Sequence, residues 1–141
     1  MSGVRNSVLL ESDIFSTGFV GDQFDAVFCW DVLGHLEAVD FALQEIVRVC
    51  RPGGYLVGSI FALSDPARGQ GMKPIADEQY VYAGSYYYRF YSEGEVRELL
   101  KPLAVQVVTV DLQVWSEPPH PGFREFEHEH HSWAFTARKL G

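Results

Sequence analysis

The sequence predicts an α/β fold, a mixed and mostly parallel sheet that closes in an antiparallel pair. Two nearly unbroken apolar runs, Phe24 to Trp30 and Tyr55 to Leu63, suit strands covered on both faces. Between them Leu43, Ile46, Val47 and Cys50 recur at i, i+3, i+4 and i+7, the stripe of an amphipathic helix over Glu37 to Arg51. After a second helical pattern, Val108 to Trp115 and Ser132 to Arg138 follow as strand-like segments with no helix between them, which gives the antiparallel ending.

Each element has a local reason. Ser7 to Leu10 is a short apolar run feeding the polar turn Glu11-Ser12-Asp13, and reads as a first strand. Arg51-Pro52-Gly53-Gly54 stops the first helix, because proline cannot continue it and glycine accepts the left-handed cap. Ser64 to Gln79 is polar, rich in glycine and proline, and long for a structureless connection, so 64–91 reads as a lid or functional loop. Its second part crowds Tyr80, Tyr82, Tyr86, Tyr87, Tyr88, Phe90 and Tyr91 around a break at Ala83-Gly84-Ser85, as a hairpin would. Ser92 and Glu95 form an S-x-x-E capping box ahead of the stripe Val96, Leu99, Leu100 and Leu103. The stretch 116–131 holds three prolines and alternating histidines and glutamates, and reads as a loop.

Composition bounds the function. At 141 residues, 47% hydrophobic and 14% aromatic, the chain is long enough for one domain with a real core. A net charge of -8, with lysine only at Lys73, Lys101 and Lys139, disfavours nucleic acid as a partner. No run approaches the roughly 20 apolar residues of a membrane span, and Met1 to Ser7 lacks the apolar core of a secretory signal. Cys29 and Cys50 sit in apolar runs, as reduced core thiols do. The expected compartment is the cytoplasm, with no membrane partner.

Three pieces then resemble one family in order and spacing: Phe24-Asp25-Ala26-Val27, the segment Val32-Leu33-Gly34-His35-Leu36, and Glu45-Ile46-Val47-Arg48-Val49-Cys50-Arg51-Pro52-Gly53-Gly54-Tyr55-Leu56. Together they resemble the class I S-adenosylmethionine-dependent methyltransferases of the small-molecule type. Tyr88-Arg89-Phe90-Tyr91-Ser92 and the segment Ser132 to Lys139 resemble that family's later helix entry and final strand. The resemblance implies an incomplete Rossmann-like methyltransferase fold, because the family's Gly-rich strand, turn and helix have no counterpart here. Gly69-Gln70-Gly71 follows the wrong strand to replace them. The same resemblance assigns cofactor contacts to Asp13, an acceptor for the adenine amino group, and to Ile14 beside the ring. Trp30 and Leu33 join them because α/β sheets place ligands beyond the carboxyl ends of their strands.

His35, Tyr88, Arg89, His120 and Arg124 are the candidate substrate contacts, suited to an acidic or aromatic acceptor held by stacking and bidentate hydrogen bonds. In an extended tract His128 and His130 would share a face at zinc-chelating spacing, with His120 or a carboxylate as further ligands. The tract is nonetheless read as an acidic, polar loop on the substrate side, with no metal assigned.

Two functions follow from these features. One is methyl transfer to a small molecule, with the missing cofactor half supplied by another chain and no activity in the isolated one. The other is a truncated, inactive interaction module. Either way Phe24 to Trp30 becomes a hydrophobic sheet edge, expected to be covered by the N-terminal strand, a second copy or a complementary chain.

Overall fold

A computed structural model of the chain describes residues 6–122 and 124–141. Its larger sheet contains β1 (Phe24–Cys29), β2 (Cys50–Phe61), β6 (Val105–Glu117) and β7 (His128–Lys139), in the spatial order β1-β2-β7-β6. Helix α1 (Val39–Val49) joins β1 to β2, and α2 (Glu93–Leu100) precedes β6. Three four-residue strands, β3 (Lys73–Ala76), β4 (Gln79–Tyr82) and β5 (Tyr86–Arg89), form a separate antiparallel sheet.

The sheet is mixed and ends in the expected antiparallel pair. Only β1 and β2 run parallel, however; β2–β7 and β7–β6 are antiparallel. The mostly parallel sheet is therefore corrected to a mostly antiparallel one: the parallel arrangement needs a helical crossover, and α1 supplies the only one between paired strands among the described residues.

The core forms where the α1 stripe meets the sheet. Val39, Leu43, Ile46 and Val47 pack with Leu56, Ile60, Val110 and Phe135. The helix ends at Val49, just ahead of the Arg51-Pro52-Gly53-Gly54 stop; its cap, Cys50, is extended, and the left-handed φ of 77° falls at Gly53 within β2. Gly54 is needed for a different reason: a Cβ there would lie 2.7 Å from the Asp25 carbonyl oxygen and 2.8 Å from Cys50 Sγ. This bare backbone lets β2 lie against β1. The capping box at α2 forms as expected, with Glu95 N–H donating to Ser92 Oγ and Ser92 N–H donating to Glu95 Oε1, each at 3.1 Å.

Three sequence expectations change. Ser7 to Leu10 is not a strand; it is exposed, with Leu9 at 98%, because no strand among the described residues receives its backbone ladder. It does not cover β1, whose outer edge has no partner strand among the described residues. The 64–91 segment carries the three short strands rather than a loop throughout, and 116–131 is strand at both ends, leaving 118–127 as the connection. Phe123 of that tract lies outside the described residues. No helix among the described residues is long and apolar enough to cross a membrane.

Candidate functional site

Because β1 and β2 are parallel, Asp31 after one and Phe61 at the end of the other emerge at the same end of the sheet. Strands β6 and β7 reach the same end antiparallel to each other, and Phe61 pairs with Ser132. Beyond that pair they continue as a two-stranded ribbon in which Trp115 faces His130 and Glu117 faces His128. Side chains two apart on a strand share a face, so this ribbon turns Trp115, Glu117, His128 and His130 to one side.

The ribbon, the strand ends and the small sheet enclose a cavity of about 170 Å³. One wall is aromatic: the Phe61 and Tyr88 rings stack at 5.4 Å, and His35 meets each edge-on at 4.9 and 4.5 Å. Asp65, Glu117, His130 and Arg124 also line the cavity. His35 Nδ1–H donates to the Tyr87 carbonyl at 3.1 Å, which fixes the tautomer and leaves a lone pair on Nε2.

Asp65 is 4% exposed and accepts backbone N–H bonds from Ala67 (2.7 Å) and His131 (3.0 Å). Burial pushes its carboxyl up, but His130 and these two N–H groups outweigh burial and hold it below the ordinary value. His130 spans two carboxylates, with Nδ1 3.4 Å from Asp65 and Nε2 3.3 Å from Glu117. The hydrogen bond to Asp65 raises the His130 imidazolium above its ordinary pKa against the effect of its burial. Glu117 is held down at about 2, chiefly by the Trp115 indole N–H at 3.0 Å and by His120 at 2.9 Å.

Of the substrate candidates, His35, Tyr88 and Arg124 line the cavity, and His120 stands behind Glu117. Arg89 lies elsewhere, over the Tyr91 ring at 4.7 Å and 3.5 Å from Glu95. Of the cofactor candidates, Ile14 lines a second, largely apolar groove of about 310 Å³ beside Phe24, Val27, Phe28 and Ile46. Asp13 is exposed and accepts the Phe15 N–H at 2.9 Å, closing a local turn. Trp30 is half-exposed just past β1, whereas Leu33 is wholly buried in the core.

Asp65, Glu117 and Trp115 were not among the sequence candidates, and His130 was considered only as a metal ligand. For Glu117 and His130 the available signal was strand alternation continuing through a polar tract. Asp65 gives none, since its partner lies 65 residues further along.

Residues 2–58 match a family described as the methyltransferase domain. That match covers less than half of the 141 residues. No curated protein matches the sequence. Among solved structures, the methyltransferase fold is shared with the Burkholderia thailandensis 1,6-didemethyltoxoflavin-N1-methyltransferase, solved with 1,6-didemethyltoxoflavin and S-adenosylhomocysteine. Identity is 23% and the TM-score 0.64 over 90% of this chain and 48% of that one. A Methanosarcina mazei S-adenosylmethionine-dependent methyltransferase matches at 17% identity and TM-score 0.69, over 92% of this chain and 65% of that one. The cyclase SpnF matches at 17% and 0.55, over 92% and 56%. This methyltransferase-like chain thus spans about half to two thirds of the length of these structures.

Proposed function

We propose that the chain forms the rear part of an S-adenosylmethionine-dependent methyltransferase for a small planar acceptor, completed by residues outside these 141. The carrying observation is the cavity at the shared carboxyl end of the parallel pair, where α/β sheets bind ligands, lined by stacked aromatic rings together with charged groups. A flat acceptor suits stacking on such rings, and the Burkholderia enzyme binds 1,6-didemethyltoxoflavin.

The residues present fit one side of a nucleoside. Ile14 offers an apolar surface, Asp13 has carboxylate lone pairs beyond the one used by Phe15, and Trp30 offers half its ring. Leu33 has no surface to offer, so it is a packing residue. When bound, S-adenosylmethionine supplies an electrophilic methyl group on sulfur for in-line transfer. The chain's own residues then position the acceptor, and His35 Nε2 is the atom suited to receive its proton. The open outer edge of β1, with Phe28 72% exposed, supports docking of the missing strand, turn and helix there.

Calorimetric titration with S-adenosylhomocysteine, paired with a solution mass measurement of the natural assembly, tests this. Expected is saturable binding that Asp13→Ala and Ile14→Asp weaken at least tenfold, while Arg89→Ala leaves it unchanged. A stable assembly that binds no cofactor would make the chain an interaction module. SpnF shows that the fold alone does not decide the reaction.

A further inference from the structure

Three imidazole nitrogens converge on one carboxylate oxygen. Glu117 Oε2 lies 2.9 Å from His120 Nε2, 3.3 Å from His130 Nε2 and 3.5 Å from His128 Nε2. His130 is engaged on its far side by Asp65. His128 is different. Its side chain is only 5% exposed, its Nδ1–H donates to the Phe126 carbonyl at 2.9 Å, and its buried Nε2 has no hydrogen-bond partner. The tautomer that this bond selects aims the Nε2 lone pair at the Glu117 carboxylate, two acceptors facing each other across 3.5 Å. Burying such a group unpaired is costly, and a cation between the two removes the conflict.

We propose that Glu117, His120 and His128 hold a divalent transition-metal ion of the zinc class. Their donor atoms lie within 4.8 Å of one another. Zinc bonds of roughly 2.0–2.1 Å at tetrahedral angles set ligands about 3.3 Å apart, so the separations of 2.9 and 3.5 Å at Glu117 need little adjustment. Two imidazoles and one carboxylate leave a fourth position open, the pattern of a working rather than a purely structural zinc. Glu117 lines the cavity and His120 and His128 do not, which puts the ion at the cavity's edge, with the fourth position for water or a heteroatom of a cavity ligand. Trp115 donates to Oε1 of Glu117 at 3.0 Å, leaving Oε2 for the metal. The site does not depend on the methyltransferase reading.

The test is titration of chelator-stripped protein with zinc sulfate, read by competition against a chromophoric chelator. Cobalt substitution gives the coordination geometry from visible absorption. One metal per chain is expected, with tetrahedral cobalt bands. His120→Ala and Glu117→Gln should each weaken binding at least tenfold, while His131→Ala, which loses a histidine bonded to Ser64 and Glu129 instead, should not. His120 is nearly half exposed, so its variant folds even if a change at buried His128 does not. Absence of stoichiometric binding, or binding equally lost in His131→Ala and retained in His120→Ala, overturns the site. Retained zinc binding without cofactor binding would refute only the methyltransferase reading.

Discussion

Glu45 ties the N-terminal segment to α1, and its removal should loosen the part of the chain that carries Asp13 and Ile14. The carboxylate accepts Thr17 N–H at 2.8 Å, Thr17 Oγ–H at 2.7 Å and two Arg48 bonds at 2.6 and 2.8 Å. Arg48 is almost half exposed, so its part is heavily screened and the Thr17 bonds carry most of the effect. A hydrogen bond to a charged group contributes about 1.5–3 kcal/mol, and glutamine keeps some acceptor capacity, so Glu45→Gln should cost about 1–2 kcal/mol. For a domain of this size that lowers Tm by roughly 3–8 °C. Hydrogen bonds from Arg48 and Thr17 hold the Glu45 carboxyl down at about 2 from 4.5. A depressed folded-state pKa contributes stability above about 4.5, which is lost as pH falls towards 2. The gap in Tm between wild type and Glu45→Gln should therefore be full at pH 7 and shrink below pH 4.5. Hydrogen exchange should show faster opening at the Thr17 amide in the variant. A gap that persists unchanged at pH 3, or an unaltered Thr17 amide, would refute the reasoning.

Other expectations are more local. Gly34→Ala places a Cβ about 2.2 Å from Phe61 Cδ2, so the ring that walls the cavity must move; overpacking of this kind costs about 1–3 kcal/mol and should alter the near-UV circular dichroism. Ser92→Ala removes the reciprocal cap of α2, with an expected loss of about 1 kcal/mol by chemical denaturation and no change in the slope. Phe28→Asp charges the open edge of β1 and should weaken any association through it, seen as a lower mass in sedimentation; an unchanged mass would place the contact elsewhere.

The α1 stripe, its Pro-Gly-Gly stop and the capping box were legible because each is set by neighbours within a few residues. Ser7 to Leu10 misled for the opposite reason: apolarity marks a strand only when a second backbone is there to pair with it, and none among the described residues does. The histidine tract looked like a loop because it is polar. Its cross-strand neighbours, Trp115 and Glu117, keep it extended, and they belong to a strand whose own end looked irregular. Of the site, His35, Tyr88 and Arg124 could be found from the family resemblance and the aromatic crowding. Arg89, adjacent to Tyr88, points to Tyr91 and Glu95 instead, as neighbours on a strand must diverge. Asp65 is fixed by a contact that no local pattern encodes.

The segment that carries the small sheet leaves the main one after Phe61 and returns to it at Tyr91. Leu63 N–H donates to the Tyr91 carbonyl at 2.9 Å, and Tyr91 N–H donates to the Phe61 carbonyl at 2.8 Å. The segment between them works as a cassette closed at this rung and tied to its surroundings by Asp65 and Tyr87. Its length and side chains can diverge without shifting the register of β2 against β7, because lengthening an already closed excursion adds little entropy cost. Selectivity for the cavity's occupant can therefore change by exchange of that cassette while the floor beneath it stays the same.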